Sequence, residues 1–395
     1  MNNEILRQIK NEYSTPCYAF DLDVFEERAK RVKEAFGDKT GLCYSIKANP
    51  FVLGQLPEVF DRIEVCSPGE LEICKAYGVK PEKIIFSGVN KTQKDIEKAF
   101  EYGVGIFTAE SALHLELINN YATEHGCKAK VILRLAHGSQ FGIDESLLAE
   151  MIKTRSFFKG LDIIGLHYFT GTMKTKAKTI QKELASLEEF IIRLKEEYDF
   201  LPEHIEYGTG LGVEYYKDFT EQTDLSLLEE AAVFIREFAS KYPLTVEMGR
   251  FFAAECGCFM TNVMDIKTNS GVNYVICDGG INMLNYYGQN MAMKVPPVEV
   301  IDASGNGEQE YCLCGSLCTT ADILVRKVSL PALECGDTLV FKKCGAYSVC
   351  EGIAVFLSRA LPAVVTYSST SGIRLMRPLT ESFPLNTAFD KGGFR

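Results

Sequence analysis

Leu42-Cys43-Tyr44-Ser45-Ile46-Lys47-Ala48-Asn49-Pro50 reads as a short apolar strand, Leu42 to Lys47, that ends on a lysine and runs into an amide and a proline. A lysine in that place has two ordinary fates. It is solvated at the end of an unremarkable strand, as most lysines are. Or it stands on the rim of a barrel, where an amine is useful as a nucleophile. The nine residues alone do not choose between these, and the surrounding chain has to.

Working outward, the same unit recurs. Short apolar runs that read as strands follow at Ile63–Ser67, Lys83–Gly88, Val104–Thr108, Lys130–Leu135, Ile163–Phe169, His204–Gly208 and Leu244–Met248. Polar segments with helical spacing fill the gaps, for example Pro68–Tyr77, Lys91–Tyr102 and the longest, Lys176–Asp199. Eight strands alternating with helices predict an α/β protein with a parallel sheet, most economically an eight-stranded (β/α)8 barrel. An open doubly wound sheet is the competing topology, and the count of eight favours the barrel. A further strand at Thr15–Leu22 precedes it, after which Asp23 is placed to cap a helix through Phe25, Ala29, Val32 and Phe36.

Beyond Phe252 the pattern changes to strands and turns: Met260–Ile266, Asn273–Cys277, Gln309–Leu313 and Thr338–Phe341, separated by signals such as Asp278-Gly279-Gly280 and Gly305-Asn306-Gly307. The expected organisation is a barrel over 24–255 and a separate all-β domain formed by 1–23 and 256–395, with the N-terminal strand joining it. The stretch from Leu375 reads as an irregular tail.

A chain of 395 residues is long for one core, in keeping with two domains. Hydrophobic content of 46% and charged content of 24% are ordinary for a globular protein. The net charge of −11 argues against a nucleic-acid partner, because a phosphate backbone requires a basic face. No apolar run approaches the roughly 18 residues that cross a bilayer, and no signal sequence is legible at the N-terminus, so a soluble, cytoplasmic protein with no membrane partner is expected. The 14 cysteines are scattered; the C-x-C pairs Cys256/Cys258 and Cys312/Cys314 lack zinc-ligand spacing, and no metal site is expected.

In a barrel, the loops after the strands converge on one rim. Lys47 follows strand one; Glu64 and Ser67 belong to strand two. His167, Phe169, Gly171 and Thr172 close strand six, Gly208-Thr209-Gly210-Leu211-Gly212 follows strand seven, and Glu247-Met248-Gly249-Arg250 follows strand eight. A glycine-rich turn lets backbone N–H groups approach a phosphate, and its place after strand seven strengthens that reading. Arg250 beside it is either a phosphate partner or a surface ion-pair residue. Glu247 either holds a proton on a ring nitrogen or pairs with Arg250. Lysine, phosphate cradle and carboxylate on one rim are the parts of a pyridoxal-phosphate site.

The motifs YSIKANP, EVCSPGEL, GLHYFTGT, GTGLG, EMGR, GSLCTTAD and GAY occur in that order. In this the chain resembles the fold-type III pyridoxal-phosphate decarboxylases, which include diaminopimelate, ornithine and arginine decarboxylases on an alanine-racemase-like barrel plus a β domain. The resemblance runs from about Thr15 to Pro362. It implies that Lys47 is the Schiff-base lysine and that Ser67, Phe169, Gly171, Thr172, Gly208, Gly210, Gly212, Gly249, Arg250 and Tyr347 surround pyridoxal 5'-phosphate, with Glu247 facing the ring nitrogen. It also implies a homodimer in which Cys318, donated across the interface, returns a proton to Cα after CO2 has left.

Four departures concern the substrate. Phe169 stands where the family has a histidine. Thr319 stands where it has an acid that binds a distal ammonium, with Asp322 or Glu351 as possible substitutes. Asn285-Tyr286-Tyr287 replaces an Arg-Pro followed by a tyrosine, so that Tyr286 and Tyr287 join Thr319 and Asp322 as candidate substrate contacts. The loop from Arg134 to Gln140 is short. A buried ammonium is costly to leave unpaired, so the expected small-molecule substrate is an amino acid other than free diaminopimelate or ornithine, such as a carrier-tethered or otherwise modified one. An amino-acid racemase and a non-catalytic binding protein are the alternatives.

Overall fold

The computed structural model describes residues 1–216, 223–303 and 305–387 and divides into two compact units. One runs from Glu26 to Val213 and resumes through Phe252. Its strands Thr40–Ser45, Arg62–Val65, Ile84–Phe86, Ile106–Ala109, Ala129–Leu135, Leu161–Phe169, His204–Gly208 and Leu244–Met248 close into a parallel barrel. Closure is made by the last strand pairing with the first, Leu42 against Val246 and Tyr44 against Met248. Strands covered on both faces need continuous apolar runs, and Ile84–Phe86, for example, is buried at every position. Cys43, Ile85, Ile106, Ile132 and Ile164, one from each of five strands, form a packed apolar cluster.

Helix starts depart from the sequence reading in small, explicable ways. The first helix is Leu22–Phe36, and Asp21 rather than Asp23 caps it, its carboxylate accepting from the N–H groups of Asp23 and Val24 at 3.1 and 3.3 Å. The helix expected from Lys91 starts at Gln93, because Thr92 and Asp95 form a reciprocal capping box. Strand one ends at Ser45, not Lys47: Ile46–Ala48 is a single 3-10 turn, and Asn49 caps the next one, Pro50–Gln55, by accepting from Phe51 N–H at 3.0 Å. Lys47 is therefore held in a turn at the strand's end. Among the described residues no helix is long and apolar enough to cross a membrane.

The second unit comprises Met1–Phe25, a short segment from Glu214, and the chain from Ala253 onward. Among the described residues nine strands form its sheet. The N-terminal strand Cys17–Asp21 lies between Gly257–Asn269, antiparallel, and Ala363–Ser368, parallel. This is the expected β domain, with one helix added to its sheet. A helix, Asn3–Tyr13, buries Leu6 and Ile9 against Cys17, Ala19, Met260 and Val340. Four strands were not legible in the sequence: Val298–Ile301, Ile323–Pro331, Ala363–Ser368 and Gly372–Arg377. The last of these runs through Leu375, where an irregular tail was expected, and a 3-10 turn follows at Phe383–Asn386. As an exposed edge strand, Gly372–Arg377 carries little hydrophobic alternation to read. The rest of the expected tail, after residue 387, lies outside the described residues.

Candidate active site

Lys47 is more than a third exposed, at 38%, yet its amine is not simply solvated. Nζ lies 2.7 Å from Glu64 Oε2, from strand two, and 3.6 Å from Glu247 Oε1, from strand eight. Cys66 Sγ is 3.4 Å from the same nitrogen and donates to Glu64 Oε1 at 3.0 Å. The end of strand eight reaches the lysine turn because position 249 is glycine; a Cβ there would stand 2.8 Å from Ala48 Cβ and 3.0 Å from Ser45 O.

Glu247 is buried and anchored. Ser45 Oγ donates to its Oε1 at 2.9 Å, while Oε2 faces His167 Nε2 at 3.2 Å without the alignment of a direct hydrogen bond. Burial pushes this carboxyl up, but the Lys47 ammonium, then His167 and Ser45, hold it well below the usual carboxylate range, so it is ionised. Glu206 on the neighbouring strand behaves oppositely. Burial and then the negative charge of Glu247 push it up to about 8, and it keeps its proton at neutral pH. Two carboxylates in one dry layer cannot both ionise cheaply, and the one beside the lysine takes the charge.

These groups open into a cavity of about 290 Å3 lined by Lys47, Glu64, Glu247, His167 and Phe169, with Cys66, Glu110, Arg134 and Phe141 among its other walls. Arg134 Nη1 donates to Glu110 Oε1, and its guanidinium lies 4.9 Å from the centre of the Phe141 ring. The short loop before Phe141 is tied down by Ala136 N–H to Ile143 O, 2.9 Å, and Ile143 N–H to Arg134 O, 2.8 Å. Lys91, behind this wall, is driven down to about 8 by burial.

The loops after strands six and seven are bound to each other. Lys174 N–H donates to Gly210 O at 2.8 Å and Gly212 N–H to Lys174 O at 2.9 Å. Gly210 has φ 62°, and a Cβ on it would sit 1.9 Å from Gly171 O, so no other residue fits without rearrangement. Gly208 packs under the Phe169 ring, and Thr172 is exposed. Arg250 opens the short helix Arg250–Ala253 directly after strand eight. Ser67 is occupied as a helix cap, accepting from Glu70 N–H at 3.1 Å.

The remaining candidates belong to the β unit. Cys318 and Thr319 lie on an exposed turn. Asp322 is turned inward: Oδ2 accepts from Leu317 N–H at 2.7 Å and Oδ1 from Ile281 N–H at 2.8 Å, which staples two turns together and leaves it a poor substitute for a substrate-binding acid. Tyr286 is also structural, buried with its hydroxyl donating to Lys342 O at 2.5 Å, whereas Tyr287 is about half exposed. Glu351 Oε2 accepts from Asn285 Nδ2. Tyr347 has a left-handed φ of 70°, a strained conformation of the kind that collects at functional sites.

Cys66, Glu110, Arg134 and Glu206 were not singled out from the sequence. The legible signal for Glu206 is a carboxylate in the middle of an apolar strand, Ile205-Glu206-Tyr207, the same pattern that marks Glu64 in Ile63-Glu64-Val65. Among the described residues no group of three or more His, Cys, Asp or Glu side chains is arranged to hold a metal ion.

Comparison with known proteins bears on what this arrangement is for. The chain is similar to the L-glutamyl-(BtrI acyl-carrier protein) decarboxylase of Niallia circulans, 28% identical over 382 residues, covering 90% of this chain and 89% of that protein. It is equally similar to the diaminopimelate decarboxylase of Campylobacter jejuni, 28% identical over 362 residues, covering 86% of this chain and 88% of that one. The crystal structure of diaminopimelate decarboxylase from M. jannaschii in complex with L-lysine matches with a TM-score of 0.83 at 26% identity, over 94% of this chain and 91% of that one. The family model for the pyridoxal binding domain of pyridoxal-dependent decarboxylases matches residues 22–254, the stretch that builds the barrel and its polar cavity. The chain belongs to the pyridoxal-dependent decarboxylases, carboxy-lyases that act on amino acids.

Proposed function

We propose that the barrel cavity seats pyridoxal 5'-phosphate, the family's cofactor, at Lys47, and that the substrate is an α-amino acid presented as a modified or carrier-tethered group rather than free diaminopimelate. The observation that carries the first half is the pairing of Lys47 with Glu247. An amine at the mouth of a polar cavity stands 3.6 Å from an ionised, buried carboxylate, whose second oxygen has no aligned hydrogen-bond partner among the described residues. An orphaned buried acceptor suits a protonated ring nitrogen, and the glycine loops after strands six and seven suit a phosphate.

Bound there, the cofactor supplies the electron sink that makes loss of an α-carboxylate feasible. The chain's own residues do the rest. Lys47 is the amine that holds the cofactor covalently, and Glu64, 2.7 Å away, takes its proton when the free amine is needed. Glu247 keeps the ring nitrogen protonated. Phe169 would cover one face of the ring and exclude water, and Arg250, Gly249 and the loops holding Gly171, Thr172, Gly208, Gly210 and Gly212 would surround the phosphate, with Ser67 nearby. In a homodimer that shares its sites, the Cys318 thiol returns the proton to Cα.

The substrate half rests on Thr319, which has no charge to offer a distal ammonium, on the inward-turned carboxylate of Asp322, and on the similarity to a relative named for a carrier-bound glutamyl substrate. The test is CO2 release from the reconstituted protein offered free meso-diaminopimelate, free ornithine and an amino acid loaded on a carrier protein. The expected result is a kcat/KM for the loaded carrier at least about tenfold above either free diamino acid, the effect of one unmet buried charge. Strong turnover of free diaminopimelate would overturn the substrate reading. A Lys47→Ala protein that retained the visible cofactor band would overturn the site.

A further inference from the structure

Arg134 is a buried guanidinium with most of its hydrogen-bonding capacity unused. It is 8% exposed, stands near the end of the fifth barrel strand, Ala129–Leu135, and lines the same cavity as Lys47. A guanidinium presents its N–H donors in one plane. Among the described residues only Nη1 has an acceptor, Glu110 Oε1, and Nε is buried without one. Glu110 thus occupies one edge of the group, and the Phe141 ring covers one face, 4.9 Å away. Phe141 is kept there by a tight loop: Gly142 has φ 84°, and a Cβ on it would stand 2.8 Å from Ala136 N. What remains of Arg134 is the side-on edge, Nε and Nη2, two parallel N–H groups spaced for a carboxylate. A buried donor left unmade costs more than a made hydrogen bond gains, so this edge calls for an acceptor.

The charges point the same way. At this end of the cavity two buried cations share one carboxylate, because Lys91, whose amine donates to Gly88 O at 2.5 Å, draws on Glu110 as Arg134 does. At the lysine end the balance is reversed, with Glu64 and Glu247 against Lys47. A ligand that is cationic at one end and carries oxygen at the other fits this polarity. The cofactor's ring nitrogen supplies the cation beside Glu247, and its phosphate goes to the glycine loops. The oxygen that meets Arg134 is then left to the substrate.

We infer that Arg134 is a specificity-determining residue whose Nε/Nη2 edge receives an oxygen of the substrate's side chain: a carboxylate, or the carbonyl of an ester, thioester or amide. The α-carboxylate is a poor candidate for this place. It leaves as CO2, and an ion pair that holds it more tightly before the reaction than during it would slow its loss. The substrate class is therefore the acidic α-amino acids and their side-chain acyl derivatives. This agrees with Thr319, which offers a distal ammonium nothing.

The inference deepens the proposed function and rests on its reading of the cavity, and the test separates the two. The protein is loaded with pyridoxal phosphate and titrated with glutamate, glutamine, glutamate γ-methyl ester, norleucine and lysine, each in L and D forms. Binding is read from the change in the visible band; free amino acids report recognition of the side chain alone. Wild type is expected to bind the three oxygen-bearing ligands at least about tenfold more tightly than norleucine or lysine. Arg134→Lys keeps the charge and loses the fork. The double variant Glu110→Gln/Arg134→Met removes the ion pair whole, so that no partner is left charged and buried. In both, the preference should disappear, while the cofactor's dissociation constant and the melting temperature stay close to wild type. Equal binding of norleucine and glutamate by wild type, or a preference that survives in both variants, overturns the inference. So does weaker cofactor binding with the preference intact, which would put the cofactor and not the substrate on Arg134. A wild-type protein that binds no pyridoxal phosphate overturns the reading of the cavity, and this inference with it.

Discussion

Replacing Glu206 by glutamine should make the protein more stable at alkaline pH, although it removes a charged residue type from the core. Glu206 is 1% exposed and its carboxyl titrates at about 8 in the folded protein. In the unfolded chain it would titrate near 4.3. Between those values the unfolded chain has released the proton and the folded protein has not, so stability falls as pH rises from about 4 to about 8. Nearly four decades of proton concentration at about 1.4 kcal/mol each amount to about 5 kcal/mol. Glutamine cannot ionise, and the variant escapes this loss. The two proteins should differ little near pH 4, and the variant should lead by up to about 5 kcal/mol at pH 8, worth about 10 °C or more in melting temperature for a unit of the barrel's size. The assay is thermal melting of cofactor-free wild type and Glu206→Gln at steps from pH 4.5 to 8.5. Parallel curves across that range would refute the argument, as would a variant that loses ground as pH rises, because either would mean that Glu206 is already ionised in the folded barrel.

Three further outcomes can be checked. Lys47→Arg keeps the positive charge beside Glu64 and Glu247 but cannot form the covalent link, so the fold should survive with the visible band and CO2 release both lost; a band in the variant would place the cofactor elsewhere. Gly210→Ala forces a left-handed φ of 62° on a residue with a Cβ and drives that atom against Gly171 O; about 1–2 kcal/mol of backbone strain plus the contact should appear as weaker cofactor binding, measured by titration. Ile9→Ala opens a cavity in the core of the β unit, where Ile9 is fully buried, and should cost about 2–4 kcal/mol in denaturant unfolding; an unchanged midpoint would mean the N-terminal helix is not docked.

The barrel was legible because its signal is local and repeated. Eight buried strands read as apolar runs wherever both faces are covered, as in Ile84-Ile85-Phe86, and the lysine at the first of them marked the rim. The β unit was harder for the opposite reason. Val298–Ile301 is short and pairs with the distant strand Thr338–Lys342, and Gly372–Arg377, although it pairs with its sequence neighbour Ala363–Ser368, is a largely exposed edge strand, so little in the local pattern distinguishes either from loop. The helix Asn3–Tyr13 is too short to be stable alone and is held by burial of Leu6 and Ile9 on a sheet that closes only when the C-terminal strands arrive.

The same division runs through the site. Residue type and order along the chain were enough to nominate Lys47, Glu247 and the glycine loops, because reactive amines, carboxylates and glycine turns leave their mark in the sequence whatever surrounds them. Which of the barrel's carboxylates carries the charge was decided by tertiary structure. Glu247 ionises beside an ammonium, and Glu206, one strand over and without one, keeps its proton. Likewise Asp322 and Tyr286 looked available for substrate until the fold turned them inward to satisfy backbone groups. Protonation state and orientation depend on burial and on neighbours brought from distant strands, and those exist only once the chain has closed on itself.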